Sequence, residues 1–138
     1  FARVRSEAPV SLATSQWTTL RYDEVVVDRG GMFASGAGSA LIAPVAGRYR
    51  IGAAVDIENV ACNKALRLIV NASRVLAERD RPGVGSPVPG RITISTAAEL
   101  AAGDFIEAEA WHDLGVPINA VPGPWAPVLW AHWEGTDL

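Results

Sequence analysis

Between residues 48 and 58 the chain alternates: Tyr49, Ile51, Ala53, Val55 and Ile57 share one parity, while Arg48, Arg50, Asp56 and Glu58 share the other. A period of two sends successive side chains to opposite faces of a pleated strand, so this segment is predicted to be a strand buried on one face only. A second apolar run, Ser39-Ala40-Leu41-Ile42-Ala43, precedes it. Pro44 and Gly47 join the two, residues suited to an edge bend and a compact turn.

Shorter alternations follow the same rule. Residues 2–5 and 11–20 read as short, partly exposed strands, the second carrying Leu12, Trp17 and Leu20 among Ser and Thr. Residues 19–28 read as one strand, with Leu20 and Tyr22 on one parity, Val25 and Val27 on the other, and a bulge near Asp23-Glu24 reconciling them. Leu66, Leu68 and Val70 alternate before Asn71-Ala72-Ser73 turns the chain into Val75-Leu76-Ala77-Glu78, which predicts a hairpin. Good helix formers between 61 and 76 also admit a helix, but Asn71 and Ser73 interrupt a β-branched pattern and favour strands.

Further strands are predicted at 92–100, 105–111 and 127–134. In 105–111 one side is slim and apolar (Ile106, Ala108, Ala110), while the other mixes Phe105 and Trp111 with Glu107 and Glu109. The closing segment places Val128 and Trp130 on one face and Leu129, Ala131 and Trp133 on the other, so it is predicted to be covered on both. Arg29-Gly30-Gly31, the stretch holding Gly36 and Gly38, and residues 59–63, 81–91 and 112–126 break the pattern as turns and loops. Many short strands and no long helical period predict an all-β sandwich, barrel or jelly roll.

Composition narrows this to one domain over 1–138, because 138 residues at 49% apolar content supply one developed core but not two. The formal charge is −3 and the twelve basic residues are scattered, so no nucleic-acid partner is expected. No apolar run is long enough to cross a bilayer, and no membrane insertion is expected. Cys62 is the single cysteine, which excludes an intrachain disulfide and a cysteine-based metal cluster.

Ala43-Pro44-Val45-Ala46-Gly47-Arg48-Tyr49-Arg50-Ile51 resembles the central Pro-x-x-Gly-x-Tyr-x-Phe signature of the complement-type globular head, a branch of the tumour necrosis factor-like jelly rolls, with Ile51 in place of Phe. Residues 66–75 resemble the strand, Asn-containing turn and strand that come next. Leu100-Ala101-Ala102-Gly103-Asp104-Phe105-Ile106 resembles the later Leu-x-x-Gly-Asp-x-Val element, and Val128-Leu129-Trp130 lies where the closing strand is expected. The compact stretch Trp17-Thr18-Thr19-Leu20-Arg21-Tyr22 leading into Gly30-Gly31-Met32 is similar to the small variants in minor tail or fibre proteins of actinobacterial viruses.

The resemblance implies a compact antiparallel β-sandwich of jelly-roll topology, with Pro44, Gly47, Tyr49, Ile51, Gly103 and Asp104 as its scaffold signature. It further implies a homotrimeric, non-enzymatic tip module without cofactor, located in a virion tail or fibre among other tail components and touching a host-envelope glycan. The tip is expected at the C-terminal end of a longer tail or fibre protein. The alternative setting is a secreted or surface-displayed bacterial binding module, extracellular or on the cell surface.

Five tryptophans present more aromatic surface than one thin core accommodates, an independent argument for subunit contact. Phe105, Trp111, Val128, Trp130 and Trp133 are the trimer-interface candidates. Trp111 and Trp125, beside polar loops with His112 and Asp113, are the ligand-contact candidates, because flat amphipathic rings suit sugars with apolar CH faces and polar edges. His112, Asp113, His132 and Glu134 match no metal-ligand spacing, and no metal is assigned. Glu107 and Glu109 on one strand face imitate an acid/base pair and, with Asp113 and Glu134, define a rival reading as a hydrolase of envelope sugars. A solvated or interface face with Arg partners is preferred, and no catalytic residue is assigned.

Overall fold

The structure, a computed structural model, describes residues 1–33, 38–83, 91–123 and 126–136. The alternation at 48–58 becomes β6 (Gly47–Asp56), whose inward residues Tyr49, Ile51, Ala53 and Val55 are all buried. Around it assembles an antiparallel front sheet in the order β4 (Glu24–Asp28), β1 (Ala2–Arg5), β12 (Val128–Gly135), β6 and β9 (Arg91–Leu100). The back sheet runs β3 (Thr18–Thr19), β10 (Phe105–His112), β7 (Lys64–Val70) and β8 (Arg74–Arg81), with β5 (Leu41–Ile42) also paired to β10. A ribbon of β2 (Val10–Leu12) and β11 (Ile118–Ala120) completes the strands among the described residues.

Val4, Ile51, Ile92 and Leu129 of the front sheet meet Leu66, Leu68, Ile106 and Ala108 of the back sheet in one core. The arrangement is an all-β, antiparallel jelly-roll sandwich. Small residues at alternate positions of β10 keep the two layers close, since Ala108 and Ala110 fill little of the space between them.

Three predicted segments come out differently. Residues 19–28 are not one strand: β3 belongs to the back sheet and β4 to the front, and the chain crosses between them, burying Leu20 and Tyr22. The Leu20 N–H donates to the Ala108 carbonyl and the Asp23 N–H to the Arg5 carbonyl, so the change of parity marks a change of sheet. The bulge lies two residues beyond Glu24, at Val26, where Arg3 pairs with Val27 but Val4 with Val25. The 112–126 loop contains β11, because Ile118 and Ala120 bury one parity against the core while pairing with Leu12 and Val10. Of the 81–91 loop, Arg81 ends β8 and Arg91 opens β9; residues 84–90, like Gly36 and Trp125, lie outside the described residues.

The hairpin at Asn71 forms as predicted. Asn71 and Ala72 both have positive φ (54° and 56°) and the Ser73 N–H donates to the Val70 carbonyl at 3.1 Å, the geometry of a type I′ turn.

The scaffold signature has a physical explanation. Gly47 has φ +147°, and a Cβ there would lie 2.5 Å from Trp133 Nε1 and 2.7 Å from the Gly135 carbonyl oxygen, so any larger residue would strike the end of β12. Two residues on, the buried Tyr49 ring sends its hydroxyl back to the Val45 carbonyl at 2.6 Å, closing the Pro44 bend. The other signature pieces meet in a knot of hydrogen bonds. Asp104 accepts from the Ala101 N–H at 2.8 Å and from Asn71 Nδ2 at 3.0 Å, while Asn71 Oδ1 accepts from the Phe105 N–H at 3.0 Å. Backbone bonds tie Ala43 to both Gly103 and Asp104, at 2.8 Å each. The Asn71 amide and the Ala101 N–H hold the Asp104 carboxyl below the usual carboxylate range.

Candidate functional site

The outer face of the front sheet is built by cross-strand rows. One row reads Val27, Arg3, Trp130, Gly52, Ser95; the next reads Glu24, Arg5, Val128, Ala54, Thr93. Over β12, β6 and β9 these side chains are uncharged and mostly small, and the indole of Trp130 passes directly over Gly52. A Cβ on Gly52 would fall 2.4 Å from Trp130 Cε2 and Cζ2. Val128 and Ala54 are buried beneath this surface together with Ala126, forming a second apolar cluster outside the main core. A shallow groove of about 660 Å³ runs over the patch, lined by Ala54, Ser95, Val128 and Trp130 together with Arg3, Glu78 and Arg79.

Ion pairs frame the patch. Asp56 and Arg91 pair at 2.7 Å, Glu134 meets Arg48 and Arg50 at 3.5 and 3.4 Å, and Arg5 holds Glu24. The hydrogen bond that Arg91 donates to Asp56 holds its guanidinium above its ordinary range, and the bond donated by Arg5 lowers the Glu24 carboxyl. An uncharged centre with a charged rim is the anatomy of a protein–protein contact surface.

The outer face of the back sheet is chemically different. Thr19, Glu109, Arg67 and Glu78 form one row and Trp111, Ala65 and Asp80 the next. Arg67 Nε donates to Glu109 at 2.7 Å while its guanidinium lies 4.1 Å from the centroid of the Trp17 ring. Glu107 accepts from Ser39 Oγ at 2.7 Å.

The predicted site residues are therefore divided. Val128 and Trp130 lie on the front face, whereas Phe105 and Trp111 lie on the back face. Trp133 has the parity of Leu129 and Ala131, yet sits 43% exposed at the sheet end beside Gly47. The five do not make one patch.

His112 is corrected as a ligand contact: its ring is 0% exposed, with Nε2 2.9 Å from the Leu12 carbonyl and Nδ1 accepting from the Leu114 N–H at 3.2 Å. That pattern assigns the Nε2–H tautomer and makes His112 a strap between β10 and β2. Asp113 remains at the surface but is used locally, accepting from the Asn63 N–H and Nδ2 at 2.8 Å each. Trp125 lies outside the described residues.

Glu107 and Glu109 share the outer face of β10 but are held by different partners, Ser39 and Arg67, while Asp113 is held by Asn63 and Glu134 by Arg48 and Arg50 on the front sheet. Among the described residues no three His, Cys, Asp or Glu side chains come together as a metal site. Sequence reasoning missed Gly52 and Trp17. Gly52 carried a signal, as the glycine inside a strong alternation; Trp17 carried none, because its neighbour Trp111 is set by pairing across 94 residues of sequence.

No protein-family model and no curated protein matches the chain. Solved structures do. The Eiger tumour necrosis factor of S. frugiperda aligns over 99% of this chain and 93% of its own, with TM-score 0.76 and 10% identity. The globular domain of zebrafish complement 1qA covers 99% and 98%, with TM-score 0.70 and 12% identity, and murine APRIL covers 94% and 94%, with TM-score 0.70 and 14% identity. At these identities the likeness is one of fold.

Proposed function

We propose that the chain is a non-enzymatic, homotrimeric structural and binding module, the tip of a bacteriophage tail or fibre that contacts the host envelope. The observation that carries the trimer is the front face, where Trp130 lies flat over Gly52 among Ala54, Val128, Thr93 and Ser95 inside a rim of ion pairs. Such a face buries well against another copy, because small residues let a partner approach closely and the indole supplies an anchor. Cyclic threefold assembly then leaves the back face outward for contact with other molecules. The non-enzymatic reading is supported by Glu107, Glu109, Asp113 and Glu134, the carboxylates of the rival hydrolase reading, each of which is held by a hydrogen bond or ion pair of its own. The same module would serve a secreted or surface-displayed bacterial protein, and the domains fused to it in the gene distinguish that setting from a virion.

Light scattering tests the assembly: the solution mass is expected at three times the 14.6 kDa chain mass. Ser95→Arg, which places a cation at an exposed position of the face beside Gly52, is expected to give a folded monomer. A wild-type chain that stays monomeric at micromolar concentration, or a Ser95→Arg chain that stays trimeric, overturns the reading.

A further inference from the structure

On the back sheet the row Trp111, Ala65, Asp80 crosses β10, β7 and β8 with a methyl group at its centre. The tall side chains on either side leave a cleft of about 470 Å³ over Ala65, within the range of about 300–1,000 Å³ usual for small-molecule sites. Trp111 and Trp17 form one wall, Glu78 and Asp80 the other, and Asn63 closes one end.

The aromatic wall is held in place. Trp17 is pinned under the Arg67 guanidinium, which is itself locked to Glu109, and its loop is anchored by the Ser15 N–H bonded to the His112 carbonyl at 2.7 Å and the Gly115 N–H bonded to Thr14 Oγ1 at 2.9 Å. Asn63 is likewise fixed between Asp113 and the Gly83 N–H. A site whose walls are already ordered loses little conformational entropy when a ligand enters.

The charges lining this cleft balance, Lys64 and Arg81 against Glu78 and Asp80. Neither an anion nor a cation is selected by such a balance. A ligand with apolar CH faces for the indoles and hydroxyls for the carboxylates and amide fits it.

We propose that the cleft between Trp17/Trp111 and Glu78/Asp80, floored by Ala65, is a binding site for a neutral saccharide. The ring lies against the tryptophan wall and its hydroxyls donate to Asp80 and Glu78. This deepens the envelope-contact part of the proposed function by naming the ligand class and the site, and each protomer carries the site alone. Three copies on the outer faces of a trimer would convert weak single-site binding into avidity for a polysaccharide.

The test is titration of ¹⁵N-labelled protein with maltotriose, chitotriose and an arabinose trisaccharide, reading the indole Nε1–H signals. At least one sugar is expected to shift the Trp17 and Trp111 signals, with Trp130 and Trp133 as internal references that stay still, and an affinity of about 1 mM per site. Trp111→Ala is expected to weaken binding about tenfold or more. Asp80→Ala, an exposed change on an edge strand that does not endanger folding, is expected to weaken it several-fold. Still Trp17 and Trp111 signals with all three sugars, equal shifts at all indoles, or a response to choline in place of the sugars each overturns the proposal. Binding by a monomer upholds the saccharide site and sinks the trimer, whereas a trimer without indole shifts does the reverse.

Discussion

Replacing Gly52 by Ala tests the front face at its centre. Gly52 lies in extended strand, so the substitution relieves the backbone entropy of glycine and by itself would stabilise by about 0.5–1 kcal/mol. The new methyl, however, would sit 2.4 Å from two ring atoms of Trp130 and 2.6 Å from Nε1, where carbon contacts settle at about 3.5–4.0 Å. The indole must rise by more than an ångström or swing away, and overpacking of this kind costs about 1–3 kcal/mol. A net destabilisation of roughly 1–2 kcal/mol is expected from these two terms. In a Trp130→Ala background the obstacle is gone, so Gly52→Ala should become neutral or stabilising. The two substitutions are therefore expected to couple by about 1–3 kcal/mol in a double-mutant cycle. Urea unfolding of the four proteins at one fixed concentration measures this. Equal effects of Gly52→Ala with and without Trp130 would refute the contact.

Three other outcomes are expected. His112→Ala strands the Leu12 carbonyl and the Leu114 N–H in the interior and should cost at least about 2 kcal/mol in the same unfolding assay; a loss under half of that would remove the strap from the account. Asp104 has its carboxyl lowered in the folded state, so its contribution is present above its unfolded value and fades as pH falls through and below it. Melting temperature against pH should drop less steeply on the acid side for Asp104→Asn, and an unchanged slope would contradict the knot. The Tyr22 hydroxyl is buried with no hydrogen-bond partner among the described residues, and burial raises its ionisation well above the ordinary phenol range. Tyr22→Phe removes that desolvated group and is expected to leave stability equal or higher; a loss above about 1 kcal/mol would mean that the hydroxyl is bonded.

What the chain disclosed depended on range. The alternation in β6 and the Asn71 turn are local, and both were legible because burial parity and positive φ leave their mark within a few residues. The resemblance pieces at Pro44, Asn71 and Gly103-Asp104 were legible one by one, while their convergence into one hydrogen-bonded knot was not, because it is made by pairing between distant segments. Residues 19–28 misled for a related reason: a strand that ends and one that begins on the other sheet leave the same parity shift as a bulge. Among the candidate site residues, parity separated Trp130 from Leu129 and Ala131, but it could not say which of the two faces points outward, nor that Phe105 and Trp111 belong to the opposite layer. His112 read as a loop residue because its burial is created by β2, 100 positions away.

The pairing of β1 with β12 joins the first strand to the last, and β12 in turn separates β1 from β6. During synthesis the front sheet therefore stays open at its middle until β12 leaves the ribosome, with the facing edges of Ala2–Arg5 and Gly47–Asp56 both unpaired until then. A frameshift or early stop ahead of Val128 would release a chain with two bare edges and an uncovered core, so its expected fate is aggregation or degradation. Only chains synthesised through β12 (Val128–Gly135) would reach the assembly step, which makes that one strand a built-in check on whether the sandwich has closed.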